Sequence, residues 1–269
     1  MTMTPTQYRD IAMDAARQAG AIVMGFYKGE VNAWEKNPGN PVTEADLAAD
    51  AFLKEFLLER VPQAGWLSEE TKDDKSRLER NLVWVVDPID GTKEFVQGVP
   101  QFAVCVALVE AGTPIAAAMY NPVEDEMFDA ALNAGARLND APLKVRDTQE
   151  WNGATLCVSR SELKRGEWAP YTEQQIEGVG SIAYKMALVA AGRYDATFSR
   201  GPKNEWDVCA GALIATEAGG WSGGLSGTPY AFNQPDPLVD GVVATTPALL
   251  SPILESVAQL GRVRQGERT

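Results

Sequence analysis

The apolar run Leu82 to Val86 stops abruptly in Asp87-Pro88-Ile89-Asp90-Gly91-Thr92, and this junction constrains the chain more than any other segment. The run itself reads as a buried strand. Behind it, two acids sit three apart around a proline. Asp-Pro and Asp-Gly are both turn formers, so a plain turn is the competing reading. A tight turn at a strand end also brings both carboxylates and the Ile89 carbonyl towards one point. Such an all-oxygen site suits hard cations such as Mg²⁺ or Mn²⁺. Gly91 and Thr92 then open a helix, whose N–H groups attract phosphate oxygens, while glycine allows close approach. The expectation is a metal-dependent hydrolase and not a binding module.

The composition removes competing chemistries. The chain has no histidine, so no Ser-His or Cys-His pair and no imidazole metal site can form. Acid–base work falls to carboxylates, Lys, Tyr, hydroxyls or water on a metal. The net charge is −13 with no strongly basic run, which argues against a nucleic acid polymer or an anionic membrane as partner. A small phosphorylated metabolite stays in play, because bound cations reverse the sign of a local field. Cys105, Cys157 and Cys209 are odd in number and widely spaced; they read as reduced, packed thiols of a cytoplasmic protein. The N-terminus lacks the pattern of a signal peptide, and no apolar run approaches the ~20 residues of a membrane span.

Helical spacing runs from Thr6 to Tyr27, and a second helix from an N-cap at Thr43 to about Arg60, with Asp46 in its first turn. Residues 31–41 read as polar and turn-rich. A short strand at Trp66-Leu67 precedes Ser68-Glu69-Glu70, and 71–80 reads as a surface loop or short helix bordering the site. Strand patterns at 103–110, 115–120 and 126–131 predict an antiparallel sheet. Further strands are expected at 155–159, 194–198 and 241–245, and helices at 182–191, 207–218 and 247–260. Two sheets packed between helical layers fit this order. A polar segment at 140–155 divides a half carrying most of the acids (1–150) from a half carrying Asp207 (151–269).

Two more acids occupy similar settings. Glu69 follows a short apolar strand, where a solvated loop acid is the plain reading. Asp207 opens an apolar helix, where an N-cap is the plain reading. Together these segments resemble the inositol monophosphatase superfamily of Mg²⁺-dependent, lithium-sensitive phosphomonoesterases. The resemblance rests on Trp84 to Phe95, on Trp206-Asp207-Val208-Cys209-Ala210-Gly211 extending through Glu217-Ala218-Gly219-Gly220, on Ser68-Glu69-Glu70 and on Val42-Thr43-Glu44-Ala45-Asp46. It spans nearly the whole chain in the expected order.

The resemblance implies a mixed α+β fold, the layered α-β-α-β-α sandwich. It implies that Glu69, Asp87 and the Ile89 carbonyl hold one Mg²⁺, and that Asp87, Asp90 and Asp207 hold a second, with Asp87 bridging. Glu69 also helps a weak third metal, near which Asp46 lies, and Mn²⁺ can substitute. Gly91 and Thr92 contact the phosphate, flanked by Asp90 and Asp207. Thr92 with Glu69 orients and deprotonates the attacking water, and Asp46 joins them in the catalytic set. A homodimer is compatible with the resemblance.

Two substrates compete. Thr92-Lys93-Glu94-Phe95, Trp66 to Glu70 and Ser199 to Asp207 resemble the 3′(2′),5′-bisphosphate nucleotidases. Where inositol phosphatases place a carboxylate before Gly201, this chain has Ser199 and Arg200. Arg200, Lys203 and Lys185 are candidates for a second phosphate, with ordinary surface charge as the alternative. Glu217-Ala218-Gly219-Gly220 is shared with inositol phosphatases and pulls towards inositol 1-phosphate. The balance favours adenosine 3′,5′-bisphosphate. A catalytically dead scaffold relative would need a lost ligand, and none is lost; fructose 1,6-bisphosphate has only the shared fold behind it.

Overall fold

The computed structural model of the chain describes residues 3–29, 33–37 and 40–260. In order, the elements are α1 (Pro5–Phe26), the paired strands β1 (Ala33–Asn37) and β2 (Asn40–Thr43), α2 (Glu44–Arg60), β3 (Gly65–Ser68), β4 (Leu82–Asp90) and α3 (Thr92–Val96). Next come β5 (Ala103–Glu110), β6 (Thr113–Asn121), β7 (Glu126–Ala131), β8 (Ala136–Leu138) and β9 (Ala141–Pro142). The remainder comprises β10 (Thr155–Ser159), α4 (Arg160–Lys164), β11 (Gln175–Val179), α5 (Ile182–Ala190), β12 (Ala196–Ser199), β13 (Lys203–Asn204), α6 (Glu205–Glu217), β14 (Trp221–Gly223), β15 (Leu238–Val239), β16 (Val242–Thr245) and α7 (Leu250–Leu260).

A seven-stranded sheet runs β3-β4-β5-β6-β7-β8-β9, with β3 parallel to β4 and every other pair antiparallel. A five-stranded sheet runs β11-β10-β12-β16-β14. Side-chain alternation along the strands sorts the core into layers. Trp84, Val86, Val104, Val106, Ala116 and Ala118 pack against α1 and α2. Their neighbours Val83, Val85, Cys105, Ala107, Ala117 and Met119 face the other way, onto α5 and α6. Helices α5 and α6 also meet Cys157, Val242 and Ala244 of the second sheet. The opposite face of that sheet, through Leu156, Val158, Phe198 and Val243, covers Ile253 and Val257 of α7. The result is α-β-α-β-α.

Local chemistry explains the elements that frame the site. Thr4 caps α1 through a capping box with Gln7, and Pro5 follows at the first helical position. Thr43 caps α2, and the Asp46 carboxylate answers by accepting from Thr43 N at 2.7 Å. Helix α1 lies close on β6: a Cβ at Gly20 would stand 2.6 Å from the Tyr120 ring. Helix α5 is buried on every side, which explains its unbroken apolar sequence.

Residues 31–41, expected to be irregular, contain β1 and β2 among the described positions. The loop 71–80 does carry a short 3₁₀ turn, Ser76–Glu79, but its centre is not a surface. Arg77 is 1% exposed. Its Nη2 pairs with Asp73 Oδ2 at 2.9 Å, and its guanidinium also donates to Asn233 Oδ1 and the Gln234 carbonyl.

This pair sets a pH dependence. Burial alone would raise the Asp73 carboxyl, but hydrogen bonds from Arg77 and Lys75 outweigh it and hold the carboxyl down at about 2. A depressed folded-state pKa contributes stability that is complete above the unfolded value, about 4, and is lost as pH falls towards 2. The urea midpoint is therefore expected to fall between pH 5 and pH 2, and to fall less in Asp73→Asn. An equal fall in both would remove Asp73 from the acid limb.

Candidate active site

The Asp87–Asp90 segment is not a turn after a strand. Strand β4 continues through it, and its register against β5 breaks between Asp87, opposite Cys105, and Asp90, opposite Ala103. Pro88 has no N–H for the ladder, which favours such a bulge. The bulge re-aims the chain so that Asp87 accepts from Ile89 N at 3.0 Å, while the Ile89 carbonyl lies 3.1 Å from the Thr92 hydroxyl. Gly91 has φ of 102°, and a Cβ there would stand 3.0 Å from the Gln101 carbonyl, so only glycine fits. Thr92 begins the five-residue α3.

The other acids arrive from separate elements. Glu69 follows β3, and its N–H reaches the Val86 carbonyl at 3.3 Å, which pins it beside the end of β4. Asp46 and Asp207 hold equivalent places, the third residue of α2 and of α6, each answering the cap residue of its helix. Asp207 is thus not the N-cap that the sequence suggested. Asn204 is the cap, and its N–H donates to Asp207 Oδ2 at 2.9 Å. Asp46 is one layer back, 1% exposed, with Oδ1 3.2 Å from the Thr92 hydroxyl and Oδ2 2.6 Å from the Thr43 hydroxyl. The hydroxyl of Thr92, expected to work with Glu69 on the attacking water, lies within hydrogen-bond reach of Asp46 Oδ1 and of the Ile89 carbonyl.

Glu69, Asp87, Asp90 and Asp207 line one cavity of about 440 Å³, together with Gly91 and Thr92. Burial pushes the Asp87 carboxyl far above the ordinary range, and the charges of Glu69, Asp90, Asp207 and Asp46 push it further. Burial and then Asp90 push Asp207 up to about 7. Asp90 is raised by burial despite hydrogen bonds from Ser181 and Ala183. Among the described residues no three of these acids form a ready-made metal cluster. Their charges repel across the cavity, and one oxygen each of Asp46, Asp87, Asp90 and Asp207 is already taken by a backbone donor. An all-oxygen set of mutually repelling, buried carboxylates fits divalent cations, whose charge would relieve the repulsion.

The basic candidates divide. Lys203 lines the cavity, with its ammonium 3.2 Å from the Ser199 hydroxyl, and its charge acts on both Asp90 and Asp207. Arg200 does not line it; its guanidinium stands 3.6 Å from Glu167. Lys185 lines the cavity but is 4% exposed, and its Nζ donates to the carbonyls of Val179 and Ser181. Three further lining cations, Lys93, Arg160 and Arg165, were not among the sequence's candidates. Their signal was available: Arg160 directly follows the apolar β10, as the acidic motif follows the apolar part of β4.

Comparison with known proteins agrees with this geometry. The sequence model of the inositol monophosphatase family matches residues 4–262. An inositol-1-monophosphatase of Rhizobium meliloti is 36% identical over 196 residues, covering 70% of this chain and 73% of that protein. The Nus factor SuhB of Xylella fastidiosa is 32% identical, covering 79% of this chain and 80% of its own. The solved inositol monophosphatase of Anabaena superimposes with a TM-score of 0.79 at 28% identity, covering 96% of this chain and 98% of its own. Layers, bulged acidic strand and matching sequence lead to one statement: the chain belongs to the inositol monophosphatase family, whose phosphatases act on small phosphate esters.

Proposed function

We propose that the protein is a Mg²⁺-dependent phosphomonoesterase whose preferred substrate is adenosine 3′,5′-bisphosphate, cleaved at the 3′-phosphate. The observation that carries the phosphatase reading is the convergence of Glu69, Asp87, Asp90 and Asp207 on one cavity beside Gly91 and Thr92. Glu69, Asp87 and the Ile89 carbonyl would hold one cation, and Asp87, Asp90 and Asp207 another. Divalent cations bound there neutralise phosphoryl oxygens and lower the pKa of water.

The chain's own groups supply the proton path. The Thr92 hydroxyl has two acceptors in reach, Asp46 Oδ1 and the Ile89 carbonyl; donating to Asp46 leaves its oxygen lone pairs to accept from an attacking water. As the water oxygen bonds to phosphorus, the bond from phosphorus to the ester oxygen breaks; the water proton passes to Thr92 Oγ, the Thr92 proton to Asp46, and the departing alkoxide takes its proton from solvent water. Asp46 stays oriented because Thr43 holds its other oxygen. Gly91, without a side chain, lets the phosphate approach the backbone at the start of α3.

The nucleotide preference rests on Lys203 and Arg160, cations in the same cavity that suit a second anionic group on the substrate; Arg165 also lines the cavity but pairs with Glu167 at 2.6 Å. The competing reading, inositol 1-phosphate, is supported by the name and 36% identity of the Rhizobium meliloti relative. Phosphate release from both esters distinguishes them, with the bisphosphate expected to show the higher kcat/KM; a preference for the inositol ester overturns the nucleotide reading. Activity on either is expected to vanish in EDTA and return with Mg²⁺ or Mn²⁺. Full turnover in excess EDTA would end the metal reading itself.

A further inference from the structure

Helix α5 begins under strain. Its N-cap, Ser181, has φ of 54° and ψ of 127°, a positive φ that L side chains rarely adopt. The strain has a local purpose. In this conformation the Ser181 hydroxyl stands 2.5 Å from Asp90 Oδ2, and the N–H of Ala183 reaches the same oxygen at 2.7 Å. Gly180 adds a second constraint: its N–H donates to Gln101 Oε1, and a Cβ there would stand 2.3 Å from Glu94. The junction of β11 and α5 is therefore a clamp on one oxygen of Asp90.

Something must hold this junction in shape. The side chain of Lys185 turns back one helical turn, and its Nζ donates to Ser181 O at 2.7 Å and to Val179 O at 3.2 Å. These are the carbonyls on either side of Gly180. A lysine 4% exposed is costly to bury unless its charge and donors are engaged. Here two N–H groups are spent on backbone, so most of the hydrogen-bonding capacity of Lys185 serves the turn and not a ligand.

We infer that Lys185 is a positioning residue, which fixes the left-handed turn at Ser181 and through it the aim of Asp90. This inference rests on the proposed role of Asp90 in holding a cation. It replaces the direct contact between Lys185 and a substrate phosphate that the sequence suggested. Groups that orient a metal-binding side chain typically change metal affinity or activity by 10–100-fold when removed.

The test is Lys185→Met, with Lys185→Gln as a second variant whose amide can still donate to one carbonyl. Calorimetric titration with Mg²⁺ alone is expected to show about tenfold or greater weakening in Lys185→Met, and less in Lys185→Gln. kcat is expected to fall with little change in KM, by the same factor on inositol 1-phosphate and adenosine 3′,5′-bisphosphate. In an Asp90→Asn background, Lys185→Met is expected to have no further effect on Mg²⁺ binding. An anion-contact role would instead raise KM for the bisphosphate selectively at unchanged Mg²⁺ affinity, and that outcome overturns the inference. So does a purely structural role, in which both variants lower Tm while Mg²⁺ affinity and kcat of the folded fraction stay at wild-type values. If wild-type protein itself neither binds Mg²⁺ nor hydrolyses either ester, the functional reading has failed, and the variants are not the cause. Should Lys185→Met not fold, Ser181→Ala removes the hydroxyl arm of the same clamp. Its Mg²⁺ affinity is expected to weaken as in Lys185→Gln, and unchanged affinity there also overturns the inference.

Discussion

Asp87→Asn is expected to lower kcat by about 10³-fold while making the metal-free protein more resistant to heat. The loss follows from position. Asp87 is the acid on which the charges of Glu69, Asp90, Asp207 and Asp46 all act, and the family resemblance makes it the ligand that both cation positions would share. Charge stabilisation by a bound metal is worth several kcal/mol, and each 1.36 kcal/mol is tenfold in rate. The gain in stability follows from the same fact. Without cations, Asp87 is a buried acid, 1% exposed, surrounded by like charges, and neutralising it removes repulsion. An asparagine keeps the side-chain oxygen that accepts from Ile89 N–H, so the bulge need not rearrange. Differential scanning calorimetry in EDTA and steady-state kinetics in Mg²⁺ check the two halves. A variant with wild-type turnover would remove Asp87 from the site. One that is inactive but less stable in EDTA would mean the carboxylate holds the fold and not the charge.

The parts legible in the sequence are those governed by neighbours along the chain. The run Leu82 to Val86 is buried on every residue, so its uninterrupted apolar pattern announced a central strand. Asp46 could be put in the first turn of α2 because Thr43 and Asp46 write the capping box in four letters. What escaped depended on contacts across the fold. Strand β11, Gln175–Val179, sits at a sheet edge with alternating exposure and carries little apolar signal. A sequence records the charge of Lys185 but not the Val179 and Ser181 carbonyls that its Nζ meets. The same holds for Arg200, whose guanidinium stands 3.6 Å from Glu167. The bulge at Pro88 was hidden because turn and bulge use the same residues. Arg77 lay in a polar stretch that reads as surface, while its partners Asn233 and Gln234 stand more than 150 residues further on.

Arg77→Met is expected to be the most destabilising single substitution away from the hydrophobic core, by about 3–5 kcal/mol. Breaking one side of this ion pair leaves Asp73 with Lys75 as its only cation among those described, and leaves Asn233 Oδ1 and the Gln234 carbonyl without the buried donor they share. The damage extends beyond the pair. The N–H groups of Asn233 and Gln234 are held by the two oxygens of Glu205, the first residue of α6 and two places before Asp207. On the other side, the loop carrying Arg77 follows directly from Glu69. A single buried chain of Asp73, Arg77, the 233–234 turn and Glu205 thus ties together the segments that present Glu69 and Asp207. Urea unfolding is expected to show the loss of stability, and Mg²⁺ titration of the folded variant a weakened affinity. The double variant Asp73→Asn with Arg77→Met is expected to recover part of the stability, because the carboxylate that has lost its guanidinium is gone, but none of the Mg²⁺ affinity, because the 233–234 turn stays unheld. Recovery of both together would mean that the stranded charge, and not the broken tie, disturbs the site.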